Sequence, residues 1–201
     1  MEERGTALAG RIVALTRKTK ETDISLTLDP DSRGEGGGIG TGVGFFDHLL
    51  TAFSFHGGMT LSLKATGDLD VDAHHVVEDT GLLLGDAFSQ ILAKGPVRRF
   101  AHAVIPMDEA LSEVSVDVSG RPCLAYRTVF PQPRVGDFDL SLLKEFLMAF
   151  SSRARISLHA ETRYGENSHH MAESLFKALG KAVAAAYGQA EDTLSTKGSL
   201  G

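Results

Sequence analysis

Four of the eight histidines occur as two adjacent pairs, each followed at the same spacing by a glutamate: His74-His75-x-x-Glu78 and His169-His170-x-x-Glu173. On a helix the first histidine and the glutamate, four residues apart, share one face. The second histidine is turned from them by about a hundred degrees. One motif can therefore direct its imidazoles toward two different ions, and two motifs offer four imidazoles and two carboxylates to a metal pair. Such a donor set suits manganese, iron or zinc, and the residues alone do not choose among them. No thiolate belongs to either motif, which argues against a structural zinc finger. Asp72 and Asn167 precede the two motifs and are good helix N-caps, so each motif falls in the first two turns of a helix. Positive potential at a helix start disfavours imidazolium and favours carboxylate, as metal ligation requires.

A single such motif would read as solvated histidines on an amphipathic helix. The second copy lies in a longer matching frame. Leu84-Gly85 and Ala87 recur as Leu179-Gly180 and Ala182 at the 95-residue offset that separates His74 from His169. The same offset maps Leu63 onto Leu158 and Asp72 onto Asn167, and Ala52-Phe53-Ser54 resembles Ala149-Phe150-Ser151 at a slightly different one. An internal repeat of this kind predicts an α+β fold of two similar fused halves, residues 1–95 and 96–201, meeting near Gly95-Pro96.

The elements that must carry the motifs follow from periodicity. Alternating apolar residues predict strands at Arg11–Thr16, Asp23–Asp29, Met59–Thr66, Phe100–Met107, Leu111–Ser119, Cys123–Phe130 and Ala154–Tyr164. Helical spacing predicts Phe45–His56, Ala73–Lys94, Phe138–Ser152 and Ser168–Tyr187. The last has an apolar stripe through Met171, Leu175, Leu179 and Val183, with His170, Glu173, Lys177 and Lys181 on its other face. The glycine-rich stretch Arg33–Gly44 reads as a loop and lacks the context of a phosphate loop.

Composition bounds the rest. The 201 residues are 42% hydrophobic and 23% charged, an ordinary globular balance. A net charge of −6 without a dense basic block argues against nucleic acid as partner. No apolar run is long enough for a bilayer and the N-terminus lacks a secretion signal, so no membrane is expected. One cysteine, Cys123, allows no intrachain disulfide, and the cytoplasm is the expected compartment. Two other readings of the metal motifs stay open on this evidence. One is a dimetal hydrolase of a phosphorylated small molecule; the other is a metal-storage protein, which would more often carry Glu-x-x-His on a four-helix bundle.

The order of further segments is similar to that of the imidazoleglycerol-phosphate dehydratase family over nearly the whole chain. They are Thr19-Lys20-Glu21-Thr22, Phe46-Asp47-His48-Leu49-Leu50, Ala65-Thr66-Gly67-Asp68, the first histidine motif, Arg99-Phe100, Met107-Asp108-Glu109-Ala110-Leu111, Ser119-Gly120-Arg121-Pro122, Gly165-Glu166-Asn167-Ser168 with the second motif, Phe176-Lys177-Ala178 and Ser195-Thr196-Lys197-Gly198. The resemblance implies a ribosomal protein S5 domain 2-like fold, each half a small β-sheet backed by helices. It implies dehydration of imidazoleglycerol phosphate to imidazoleacetol phosphate in histidine biosynthesis, by a homo-oligomeric 24-subunit shell with active sites between subunits.

Two manganese ions are implied, bound by His48, His74, His75, Glu78, His159, His169, His170 and Glu173. Ions on both ring nitrogens would stabilise the imidazolate that forms as a feebly acidic carbon-bound proton leaves. Glu21 is the first candidate for the proton-transferring group, with Glu173 and a metal-bound water as rivals. Glu21, His48, His56, His74, His75 and His169 are implied to contact substrate, and Arg99, Arg121, Lys177, Ser195, Thr196 and Lys197 to surround the phosphate end. Asp108 and Glu109 are read as turn residues. The chain departs from the family pattern at Ala52, where a glutamine is usual, and in a short tail lacking the usual Asp-Pro-Arg-Arg before Ser195.

Overall fold

The computed structural model describes residues 10–32 and 38–192. Its first hairpin pairs β1 (Val13–Lys18) with β2 (Thr22–Asp29). In β2, Ile24, Leu26 and Leu28 point inward while Asp23, Ser25 and Thr27 face solvent, the alternation that a sheet with one buried face demands. Then come β3 (Ile39–Gly40), α1 (Gly44–Gly57), β4 (Thr60–Gly67) and α2 (His74–Leu92). The second half runs β5 (Phe100–Met107), β6 (Ala110–Asp117), β7 (Cys123–Arg127), the small hairpin β8 (Arg134–Val135) and β9 (Phe138–Asp139), α3 (Leu142–Ala154), β10 (Ser157–Tyr164) and α4 (Ser168–Ala186).

The two sheets are ordered alike. The first is β1-β2-β4-β3 and the second β5-β6-β10-β7, each antiparallel except for an edge strand, β3 or β7, that runs parallel to its neighbour. Leu63 and Leu158 both lie on the third, interior strand of their sheets, facing Leu26 and Val116 across the ladder. The chain thus forms two similar sheet-plus-helix halves.

Most boundaries fall within two residues of expectation, and four departures have an identifiable local cause. The third helix starts at Leu142 rather than Phe138, because Phe138 pairs with Val135 across a turn at Gly136 (φ 57°). Asp139 Oδ1 then accepts from the Ser141 amide at 2.9 Å and its hydroxyl at 2.7 Å, and only after that turn can the helix begin. β7 stops at Arg127, and the Thr128 hydroxyl takes the place of a ladder carbonyl by accepting from the Thr162 amide at 3.1 Å. Ala154 belongs to the end of α3; Arg155, in the left-handed region at φ 54°, closes that helix before β10 starts at Ser157. Within the glycine-rich stretch, Ile39–Gly40 pairs with Leu63 and Lys64, whereas residues 33–37 lie outside the described residues.

The helices tie the halves together. α2 lies on the first sheet and packs against α3, while α4 lies on the second sheet and packs against α1. The buried residues of both halves form one continuous cluster. Repeated glycines make the crossings close. A Cβ on Gly85 would stand 2.6 Å from the Phe150 carbonyl oxygen of α3, and one on Gly180 would collide with the Phe53 carbonyl oxygen of α1. Among the described residues no helix is long and apolar enough to cross a membrane.

Because the obstacle at Gly180 is backbone, it cannot rotate away. Gly180→Ala should cost about 1–3 kcal/mol through overpacking, read as a lower midpoint in urea denaturation. An unchanged midpoint would mean that the α1–α4 crossing is looser than described.

Candidate metal centre and active site

Both histidine motifs start their helices as expected. Asn167 is the N-cap of α4, accepting from the His169 amide at 2.9 Å. In α2 the N-cap position falls to Ala73 rather than to the expected Asp72, whose carboxylate nonetheless accepts from the His74 amide at 2.7 Å. The first histidine of each motif then opens on a common cleft of about 1070 Å³ between the starts of α1, α2 and α4 and the β8–β9 hairpin, lined by Phe45, His48, Asp72, His74, Phe138 and His169.

The tightest cluster lies where α1 meets α4. His48 Nε2 is 3.0 Å and His169 Nε2 3.2 Å from the same oxygen, Oε2 of Glu173, and the three ligand atoms lie within 4.8 Å of one another. Lys177, one turn further along α4, holds the other oxygen at 2.9 Å. Glu173 was expected on the open face of α4 but is 9% exposed, enclosed by these partners. Burial pushes its carboxyl up, yet the Lys177 ammonium and the His48 imidazole outweigh that and hold it at about 2. A permanent carboxylate beside two imidazole nitrogens is a donor set that fits a divalent cation of the manganese, iron or zinc type. Phe45, its ring 5.0 Å from that of His169 and 6.1 Å from that of His48, walls one side.

The other ligand candidates are distributed around this centre. His74 Nε2 is 3.6 Å from Glu78 Oε2, one turn on along α2. His75 turns to the β1–β2 side: its Nδ1 is 3.0 Å from Asp68 Oδ2 and its Nε2 is 3.7 Å from Glu21 Oε2. His170 turns to the β5–β6 side, with Nδ1 2.8 Å from Glu109 Oε2 and Nε2 3.6 Å from Asp108 Oδ2. The expectation that a helix start keeps these histidines neutral is therefore offset. Donating Nδ1–H to the Asp68 and Glu109 carboxylates raises His75 and His170 above the ordinary imidazole value. Glu109 is held at about 2 by His170 and by the amides of Asn167 and Glu166 that it accepts. Glu109 is thus no mere turn residue.

His159 stands apart. It is exposed on β10 between the buried Leu158 and Ala160, so it points to the outer face of the second sheet, away from α4. A shallow cavity there is shared with Phe100, His102, Ser115 and Asp117. Arg99 and Arg121 belong to the same side. Arg99 Nε donates to Asp117 at 2.9 Å and its guanidinium lies 4.5 Å from the Phe100 ring centroid, while Arg121 is exposed beside Ser157, whose hydroxyl reaches the Arg121 carbonyl. His56, by contrast, is near the Glu173 cluster; burial and the Lys177 and Lys181 cations lower its pKa. Ala52 is buried on α1. Ser195, Thr196 and Lys197 lie outside the described residues.

One supporting group, the last residue of the family-like segment His74–Asp79, was given no role by its type or spacing. Asp79, 8% exposed, accepts from the Thr22 hydroxyl at 2.5 Å and from Arg17 Nε at 2.8 Å. The Thr19 hydroxyl accepts from the amides of Glu21 and Thr22. Asp79 therefore pins to α2 the tight turn that carries Glu21.

Comparison with known proteins gives one consistent result. Residues 41–183 match the family model described as imidazoleglycerol-phosphate dehydratase. A protein of that name from Rhodopseudomonas palustris is 47% identical over 196 residues, covering 95% of this chain and 99% of its own length. One from Alkaliphilus metalliredigens is 50% identical over 188 residues, covering 92% and 96%. A crystal structure of imidazoleglycerol-phosphate dehydratase from Staphylococcus aureus superposes with a TM-score of 0.81 at 35% identity, covering 89% of this chain and 99% of that one. The enzyme from Pyrococcus furiosus gives 0.81 at 39%, covering 92% and 100%.

Removing the carboxylate of Asp79 strands a guanidinium and a buried hydroxyl. Asp79→Ala should lower unfolding free energy by roughly 2 kcal/mol, measured by urea denaturation. A loss below a few tenths of a kcal/mol would show that Arg17 and Thr22 find water instead.

Proposed function

The chain belongs to the imidazoleglycerol-phosphate dehydratase family and is a hydro-lyase of histidine biosynthesis; from that premise we propose that its two helix starts hold two manganese ions and the substrate imidazole between them. The observation that carries this is the convergence of His48, His169 and Glu173, with His74 opening on the same cleft. When bound, manganese supplies Lewis-acid stabilisation of the negative charge that grows on the ring as the carbon-bound proton leaves. The chain would hold it through His48, His74, His75, Glu78, His159, His169, His170 and Glu173. We read the two halves as copies of one unit, which explains why one motif serves twice.

Glu21 rather than Glu173 moves the proton. A base with a pKa near 2 is poorly matched to proton abstraction at neutral pH, and both oxygens of Glu173 are engaged. Glu21 projects from the β1–β2 turn toward His75, and half of its side chain is open to a substrate. At the far end Lys177, with His56 beside it, gives the phosphate a fixed positive charge one helical turn from the metal ligands.

Arg99, Arg121 and His159 face away from this cluster, so a second copy must bring them to it. Homo-oligomerisation, up to the 24-subunit shell that the family resemblance implies, satisfies that requirement. Phe100 at 55% exposure and Val129 at 87% provide apolar surface for such contacts. The compartment we assign is the cytoplasm.

Two measurements test this reading. Chelator-stripped protein should lose the conversion of imidazoleglycerol phosphate to a ketone product and regain it with Mn²⁺. Ions compete with protons for His75 and His170, whose values are raised, so uptake should release protons and weaken as the pH falls toward and below 6.5. Full occupancy without turnover would refute the lyase assignment, and phosphate release would favour a hydrolase. Separately, His159→Ala and Glu173→Ala should each be inactive alone, yet co-expressed they should recover part of the activity through mixed assemblies. Mixed assemblies without recovery would mean that each chain builds its own site.

A further inference from the structure

We infer that Asp68 and Glu109 are paired positioning residues, each fixing the tautomer and the direction of one motif histidine so that its Nε2 lone pair is left for an ion. The inference rests on the two-ion reading above and concerns groups outside the ligand set.

The two halves make the same arrangement from unrelated local sequence. Asp68 lies just past the end of β4, and both its oxygens are near His75 Nδ1, at 3.0 and 3.2 Å. Glu109 sits at the β5–β6 turn with Oε2 2.8 Å from His170 Nδ1. An ionised carboxylate can only accept, so Nδ1 must carry the hydrogen in each neutral ring, and Nε2 is the unprotonated nitrogen. A metal-bound imidazole is ordinarily anchored in this way through its other nitrogen. The second carboxylates, Glu21 and Asp108, stand 3.7 and 3.6 Å from the Nε2 atoms, beyond good hydrogen-bond distance, and do not compete for that role.

The pair differs in one respect that makes the idea testable. Among the described residues no other hydrogen-bond donor holds the Asp68 oxygens, so an amide there can turn its carbonyl oxygen to Nδ1. Glu109 cannot behave so, because its Oε1 is taken by the amides of Glu166 and Asn167 at 3.0 and 2.7 Å. In Glu109→Gln those two donors retain the carbonyl oxygen, and the NH₂ group is left facing Nδ1. The amide then donates where the carboxylate accepted, the His170 hydrogen moves to Nε2, and the ligating lone pair is lost.

The experiment is Mn²⁺ titration of the chelator-stripped full chain, following free Mn²⁺ by its electron paramagnetic resonance signal, with thermal unfolding of each metal-free variant alongside. Glu109→Gln should weaken Mn²⁺ uptake roughly 100-fold and Asp68→Ala roughly 10-fold or more. Asp68→Asn should stay within a few-fold of the parent protein. All three should keep metal-free unfolding midpoints near that of the parent, which a merely structural role would not allow. If the parent binds two Mn²⁺ per chain and Glu109→Gln binds them equally well, the positioning role is wrong while the metal reading stands. If the parent takes up no Mn²⁺, both fall together.

Discussion

The close crossing of α1 with α4 and of α2 with α3 is the constraint on which the rest depends. Each motif begins a helix that lies on its own sheet, so left to themselves the two halves would present their histidines on separate surfaces. Gly85 and Gly180 remove the side chains that would hold the crossing helices apart, and backbone meets backbone at Phe150 and Phe53. That approach lets His48 of the first half reach Glu173 of the second at 3.0 Å. The His48–His169–Glu173 cluster is thus a product of the joint between halves rather than of either half alone. It explains why a glycine recurs at a fixed distance after each histidine pair, in a helix interior where glycine is otherwise unfavourable.

Electrostatics then sorts equivalent residues into different states. Glu78 and Glu173 occupy the same motif position, yet Glu78 is open to solvent and Glu173 is enclosed and neutralised by Lys177 and two imidazoles. A buried carboxylate would ordinarily rise in pKa. Here nearby positive charge and hydrogen bonding reverse the sign, and the group is kept as an anion at any physiological pH. Lys177 serves two demands at once: it stabilises the Glu173 carboxylate and it carries positive charge toward the side where His56 and Lys181 also gather. A group fixed as an anion in this way is suited to holding a cation and unsuited to exchanging protons, which separates ligand from acid–base work on chemical grounds.

Much of this was legible in the sequence because period and spacing are local properties. β5 runs from Phe100 to Met107 as its alternation indicates, and the N-cap role of Asn167 follows from residue type and position, whereas Asp72 stands one residue before the N-cap Ala73 and still accepts from the His74 amide. What escaped was set by partners far along the chain. Phe138 carries a helical pattern, but its neighbour in space is Val135, and Asp139 turns the chain before a helix can start. Ile39–Gly40 is too short for any alternation to declare it a strand; β4 makes it one by supplying the ladder. Glu109 reads as a turn residue until the 61-residue separation from His170 is closed by folding. Asp79 follows a ligand-type glutamate with no pattern of its own, and only the hairpin laid over α2 reveals that it holds the turn bearing Glu21.

The position of His159 carries the argument beyond one chain. On β10 its side chain must point opposite to Leu158 and Ala160, which are buried against the helices. No rotamer change can bring a residue through the sheet to the α1–α4 cluster, because that would require a one-residue slip of register that exposes the core face. The same geometry keeps Arg99, paired with Asp117, on the outer side. The ligand set proposed above, divided between opposite faces of a sheet, would not close within one molecule, whereas in the proposed homo-oligomer the outer face of one copy can lie against the cleft of another. The register of β10 against β6 and β7 therefore bears on the proposed assembly, because it sets which residues a copy would offer to a neighbour and which it would keep.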